Sequence, residues 1–142
     1  MDLQEIISEL KTIKIKDSED YSKLEIIETM CDQIMGFPNG ELACQALIEL
    51  LERHGNIDFG NPGTPVHTLE RFVGYYETHL FESLRRNPIE LTVWMLNRII
   101  NGKHGKEKLE LMELLEQCAN HQLASSETKE SAYNFLQFQI KH

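Results

Sequence analysis

The chain has 142 residues, and its 23 Asp and Glu residues exceed its 14 Lys and Arg residues, so the formal net charge is −9. This length suits one domain with a single core. Direct binding of DNA or RNA is not expected, because an acidic surface repels phosphate groups. A membrane span or secretory signal is not expected either, since no apolar run reaches roughly 18 residues and residues 1–5 lack a basic, apolar leader.

Apolar residues recur at helical spacing along the chain and predict seven helices. The predicted ranges are 2–14, 18–35, 40–54, 65–86, 88–101, 106–121 and 126–140. Asp17 or Ser18 is expected to cap the second helix, and Gly36 is expected to end it in a left-handed conformation. No segment alternates long enough to predict a strand. The predicted fold is therefore all-α, a single domain over residues 1–142.

The predicted helices also pair into antiparallel hairpins. Hairpins would begin near residues 18, 65 and 106, which are 47 and 41 residues apart. HEAT and armadillo repeats have periods of about 40–47 residues. A HEAT-like array is therefore one prediction, and an orthogonal helical bundle is the other.

The last two predicted helices carry apolar stripes that we expect to be buried in the core. These stripes consist of Leu109, Met112, Leu115 and Ala119 in the sixth helix and Ala132, Phe135, Leu136 and Ile140 in the seventh.

Cys31, Cys44 and Cys118 lie among apolar residues and form no C-x-x-C pair. They are expected to be buried, reduced thiols that pack as small hydrophobic side chains. Since no disulfide is needed, a cytoplasmic location is predicted.

No recognised catalytic or phosphate-binding motif occurs in the chain, so no enzyme activity, catalytic residue, metal or cofactor is expected. His67 and Glu70 lie one helical turn apart, a spacing that suits a metal ligand or a general base. A metal-dependent hydrolase using His67 with Glu70, His79 or Asp58 therefore remains a hypothesis. The other interpretation is a surface histidine beside a solvated carboxylate.

Two surface stripes suggest a groove for a protein partner. His67, Glu70, Gly74, Glu77 and Phe81 would share one face of the predicted helix 65–86. The helix 88–101 has one polar strip, which consists of Glu90, Asn97 and Asn101 flanked by Trp94 and Arg98. Aromatic residues and carboxylates together favour a basic protein ligand. The alternative is a solvated flank with internal hydrogen bonds.

The charge is unevenly distributed along the chain. Residues 1–82 hold 16 acids and six bases, a net of −10, whereas residues 83–142 have a net of +1. The acids include a loop group, a helix-face group and one residue of the long irregular stretch: Asp17, Glu19 and Asp20; Glu25, Glu28 and Asp32; and Asp58. This asymmetry suggests an acidic working face, although acidic runs are also typical of merely solvated helices.

Several segments resemble a known group of proteins. They are residues 46–53, Asp58-Phe59-Gly60, the turn Pro62-Gly63-Thr64-Pro65-Val66-His67 with Glu70, and residues 91–102, which include Trp94-Met95-Leu96-Asn97-Arg98-Ile99-Ile100-Asn101-Gly102. Over about residues 40–102 the chain resembles small bacterial α-helical, HEAT-like proteins. Many of these are encoded beside toxins and act as immunity proteins in contact-dependent growth inhibition or polymorphic toxin systems.

The resemblance implies an immunity protein that binds a cognate toxin domain and covers its active site or a flanking surface. The partner would be a basic, nuclease-type toxin domain, which an acidic protein would capture rapidly. The partner-binding residues expected from the residue patterns are Asp58, His67, Glu70, Glu77, Phe81, Glu28, Asp32, Trp94, Asn97 and Asn101. A HEAT-like adaptor for another protein or peptide is the alternative.

Overall fold

The apolar periodicity of the sequence produces eight α-helices and no strand, so the predicted all-α fold is confirmed. The computed structural model describes all residues, 1–142. The helices are α1 Leu3–Thr12, α2 Tyr21–Met35, α3 Cys44–Arg53, α4 Thr64–Glu70, α5 Glu77–Arg86, α6 Glu90–Asn101, α7 Gly105–Ala119 and α8 Ser126–Lys141; a 3-10 helix, Gly40–Ala43, precedes α3. None of the helices is both long enough and apolar enough to span a bilayer.

The predicted helix 65–86 is wrong, because the chain forms two helices, α4 and α5, with a turn at residues 71–76. Gly74 lies in that turn with a φ of +94°, which no α-helix contains. Its backbone N–H donates to both carboxylate oxygens of Glu77, at 2.9 and 3.1 Å. These bonds use the first residue of α5 to hold the turn closed. The face that was expected to carry His67 through Phe81 therefore does not exist.

The second helix also begins and ends differently from the prediction. Its N-cap residue is Asp20, not Asp17 or Ser18, and the Asp20 side chain makes no capping bond. Gly36 ends the helix with a φ of −86°, so the expected left-handed stop is wrong. A glycine with positive φ does interrupt a predicted helix in this half of the chain, but it is Gly74.

The helices cluster into two compact units, Met1–His79 and Leu80–His142. The sequence alone predicts one domain. In the first unit, α1 packs on α3 and α2 packs on α4. The centre of this unit is made of fully buried aliphatic side chains: Ile6, Leu10, Ile27, Ile34, Leu47, Leu50, Leu51 and Leu69. Burying such side chains is the main force that holds the unit together.

One buried histidine joins distant segments of the first unit. His54 Nδ1 donates to the Leu50 carbonyl at 2.8 Å, and its Nε2 accepts the Ile15 N–H at 3.1 Å. The Arg53 guanidinium donates to the Leu10 carbonyl at 2.8 Å. These bonds attach the end of α3 to the last turn of α1 and to the segment that follows α1, which leads directly into the loop before α2.

The second unit consists of α6, α7 and α8, which pack pairwise, together with most of α5. Ser125 caps α8, since its hydroxyl accepts the Thr128 N–H at 3.1 Å. His121 Nε2 donates to the Arg85 carbonyl at 2.8 Å, and Nδ1 accepts the Leu123 N–H. The connection between α7 and α8 is thereby attached to the C-terminal end of α5.

Candidate functional site

The first unit carries the whole formal charge of the protein. Residues 1–79 contain 15 acids and six bases, a net of −9, whereas residues 80–142 contain eight of each. The boundary between the two compact units therefore coincides with the boundary between acidic and neutral sequence. A charge of one sign confined to one unit produces a potential that attracts a basic partner to that unit.

An acidic loop is built at the N-terminal end of α2. The Asp17 carboxylate accepts the Glu19 N–H at 2.9 Å, and Asp20 Oδ2 accepts the Lys16 N–H at 3.1 Å. These short-range bonds fold residues 16–20 into a tight turn. The turn gathers three acidic side chains immediately before Tyr21, the first residue of α2.

Asp58 joins this acidic loop although it lies 40 residues further along the chain. Its backbone N–H donates to Ser18 Oγ at 2.9 Å. Its carboxylate accepts the Gly60 N–H at 2.9 Å, which holds the side chain at the start of the long irregular stretch. Asp58 is therefore held next to the loop that carries Asp17, Glu19 and Asp20, and we call these four residues the acidic group.

The acidic group continues onto an exposed stripe that we call the α2 face. Tyr21, Leu24, Glu25, Glu28, Thr29 and Asp32 line a shallow open groove along this helix. Tyr21 is 70% exposed, and the three carboxylates are exposed and form no ion pair. A large exposed aromatic side chain among unpaired carboxylates is the composition expected of a surface for a basic protein.

The predicted partner-binding residues Glu28 and Asp32 lie together on the α2 face, and Asp58 lies in the same unit, next to the loop that precedes α2. His67 and Glu70 lie on α4, one turn apart as expected, with His67 exposed. Glu77 also belongs to this unit, but its carboxylate holds the Gly74 N–H. No group of three or more His, Cys, Asp or Glu side chains is arranged to hold a metal ion.

The other four predicted partner-binding residues belong to the second unit. Phe81 is half-buried on α5, and Trp94 is half-buried on α6 beneath the Arg98 guanidinium, 4.9 Å from the ring centroid. Asn97 and Asn101 each accept a hydrogen bond from the side-chain amide of Gln139, at 2.9 and 2.6 Å. This polar strip of α6 is thus hydrogen-bonded within its own unit, which is the alternative the sequence had left open.

The three cysteines are buried and unpaired, as predicted. Burial raises the pKa of the Cys31 thiol to about 11, and burial raises the pKa values of Cys44 and Cys118 to about 12. Since the thiolate is the reactive form, none of these side chains is an activated nucleophile.

Two features of the candidate surfaces were missed at the level of sequence. The first is Tyr21, which lies four residues before Glu25 and so shares its side of α2, a signal available from helical spacing. The second is an apolar groove in the second unit, where Leu109 and Ile140 are exposed and not in the core as predicted. Comparison of the chain with family models, curated proteins and solved structures found no match.

Proposed function

We propose that this protein is a binding protein that captures a basic protein domain through the acidic group and the α2 face. The observation that carries the proposal is the confinement of the net charge of −9 to the first unit, with unpaired carboxylates beside the exposed Tyr21. Charge of this kind accelerates association and selects basic partners.

The partner class comes from the resemblance of residues 40–102 to immunity proteins. On this proposal the partner is a cognate toxin domain of basic, nuclease type, and binding covers its active site or a flanking surface. Such a role requires a rigid, charge-complementary surface and no catalytic group. The three cysteines, with their raised pKa values, fit a purely binding role.

The proposal is tested with the product of the gene immediately upstream, where the toxin of such a pair would be encoded. We expect the two proteins to co-purify and expect this protein to abolish the toxicity of its partner in cells. An upstream product that neither binds nor is toxic would contradict the immunity role.

Salt dependence tests docking through the acidic group and the α2 face, separately from the immunity role. At 0.1 M ionic strength the screening length is about 10 Å, and at 1 M it is about 3 Å. The association rate constant should therefore fall steeply as salt rises, with a smaller change in the dissociation rate constant. An association rate constant that stays the same at low and high salt would contradict docking through carboxylates.

A further inference from the structure

A second surface, independent of the acidic face, lies in the second unit between α7 and α8. These helices form an antiparallel hairpin and pack closely on each other. Their core-facing residues are Leu114, Leu115 and Cys118 on α7 and Ala132 on α8. The groove lies on another side of the hairpin. The apolar residues of α7 therefore cover a wider arc of the helix than the arc that packs into the core.

The floor of this α7–α8 groove is apolar. It is formed by Leu109 and Met112 on one helix and by Leu136 and Ile140 on the other. Leu109 is 65% exposed and Ile140 is 61% exposed. Apolar side chains gathered in a groove and left in water are typical of a binding surface.

The spacing of the floor suits a helical ligand. Leu109 and Met112 are three residues apart, and Leu136 and Ile140 are four residues apart, so each pair repeats at about one helical turn. A third helix laid between two packed helices presents its own apolar side chains at the same repeat.

The rim of the groove is acidic. Glu110, Glu113 and Glu116 line it together with one cation, Lys106, which lies 3.9 Å from Glu110. Glu113 and Glu116 form no ion pair. The rim therefore has a net charge of −2, although the second unit as a whole is neutral.

This charge distinguishes between two possible occupants of the groove. A second copy of the chain docked groove to groove would bring two rims of like charge together, which opposes association. A helix with an apolar stripe flanked by Lys or Arg would instead pair with Glu113 and Glu116. We infer that the α7–α8 groove is a docking site for a basic amphipathic helix of a partner protein.

The inference can be tested with two synthetic amphipathic peptides of about four helical turns. Both carry Leu at every third or fourth position on one face; one has Lys beside the stripe and the other has Glu. In protein labelled at the methionine methyl groups, the Lys peptide should shift the Met112 resonance and leave the buried Met30 and Met95 resonances unchanged. We expect the Lys peptide to bind at least about tenfold more tightly than the Glu peptide.

Two matched variants locate the site. Leu109→Ser removes an exposed leucine of the floor and should weaken binding of the Lys peptide by about tenfold. Leu123→Ser removes a leucine that is 68% exposed outside the groove and should leave binding unchanged. Both residues are exposed, so both variants should fold, which circular dichroism verifies.

Three results would overturn the inference. They are a Met112 resonance that neither peptide moves, equal affinity for the two peptides, and a Met112 shift that grows with protein concentration in the absence of peptide. The last result would identify a second copy of the chain as the occupant. The reporter Met112 and both variants lie in the second unit, so a failure of this inference leaves the proposed toxin-binding role of the first unit unaffected.

Discussion

The backbone N–H of Asp58 donates to Ser18 Oγ at 2.9 Å, across 40 residues of sequence. This bond holds the long irregular stretch against the loop that precedes α2. It is the contact that brings Asp58 next to the acidic loop of residues 16–20. The position of Asp58 next to this loop therefore depends on a neutral serine.

Replacing this serine tests its role in holding the loop. In Ser18→Ala the Asp58 amide loses its acceptor at an exposed site, where one hydrogen bond contributes about 1 kcal/mol. The Asp58 amide should exchange with solvent roughly fivefold faster, as measured by hydrogen exchange in NMR. Ser8→Ala is the control, because Ser8 is an exposed α1 residue far from this contact along the chain. Equal exchange rates of the Asp58 amide in both variants would show that Ser18 does not hold the loop.

Gln139 should be important for stability and not for partner binding. Its side chain is 3% exposed and donates to both Asn97 and Asn101. Gln139→Leu leaves two amide oxygens without this donor, so the free energy of unfolding should fall by about 1–3 kcal/mol. Chemical denaturation measures the change, with the exposed Gln122→Leu as the control. A Gln139→Leu protein as stable as the control would contradict a structural role for this strip.

Two glycine substitutions test the break between α4 and α5. Gly74 has a φ of +94° and no atom within contact distance of an added Cβ, so Gly74→Ala introduces backbone strain alone. This strain should lower the free energy of unfolding by about 1–2 kcal/mol. Gly36 has a φ of −86°, and Gly36→Ala should be neutral or slightly stabilising. A Gly74→Ala protein as stable as the Gly36→Ala protein would contradict the positive φ of Gly74 in the turn between α4 and α5.

The buried thiols predict a loss of stability in alkali. Their pKa values of about 11 and 12 lie above the value of about 8.5 for an exposed thiol, so above pH 8.5 the unfolded chain binds fewer protons than the folded one. Stability from this source is fully present below pH 8.5 and is lost as the pH rises toward 11–12. Urea unfolding between pH 7.5 and 10 should show the decline, and Cys118→Ala should make it shallower. The same slope in both proteins would contradict the raised pKa of Cys118.

Much of the fold can be predicted from the local sequence, because the buried apolar residues of a helix recur at helical spacing. The predicted ranges 88–101, 106–121 and 126–140 agree closely with α6, α7 and α8. The predicted helix 65–86 is wrong because buried apolar residues keep a helical spacing on both sides of the turn. These residues are Leu69, Tyr76, Leu80 and Leu84. Gly74 was the one local signal of the break, and glycine alone does not determine φ.

The candidate site was predictable only in part. The acidic stripe of α2 follows from helical spacing, since Glu25, Glu28 and Asp32 share one face in any helix. The contact of Asp58 with Ser18 is a product of tertiary packing, and no local pattern contains it. The α7–α8 groove was hidden for the opposite reason, because Leu109 and Ile140 have the spacing of core residues and only the structure leaves them exposed.

On the proposed function, the α2 face, and not charge in general, captures the basic partner. Two double variants separate these possibilities, because each changes the net charge by +4. Glu28→Lys with Asp32→Lys reverses the α2 face, whereas Glu127→Lys with Glu130→Lys reverses two exposed acids of α8 in the second unit.

The decisive measurement is the association rate constant of each variant with the upstream gene product at low salt. We predict that the α2 variant associates at least about tenfold more slowly than the unchanged protein, and that the α8 variant stays within about twofold of it. Equal rate constants for the two variants would contradict docking through the α2 face.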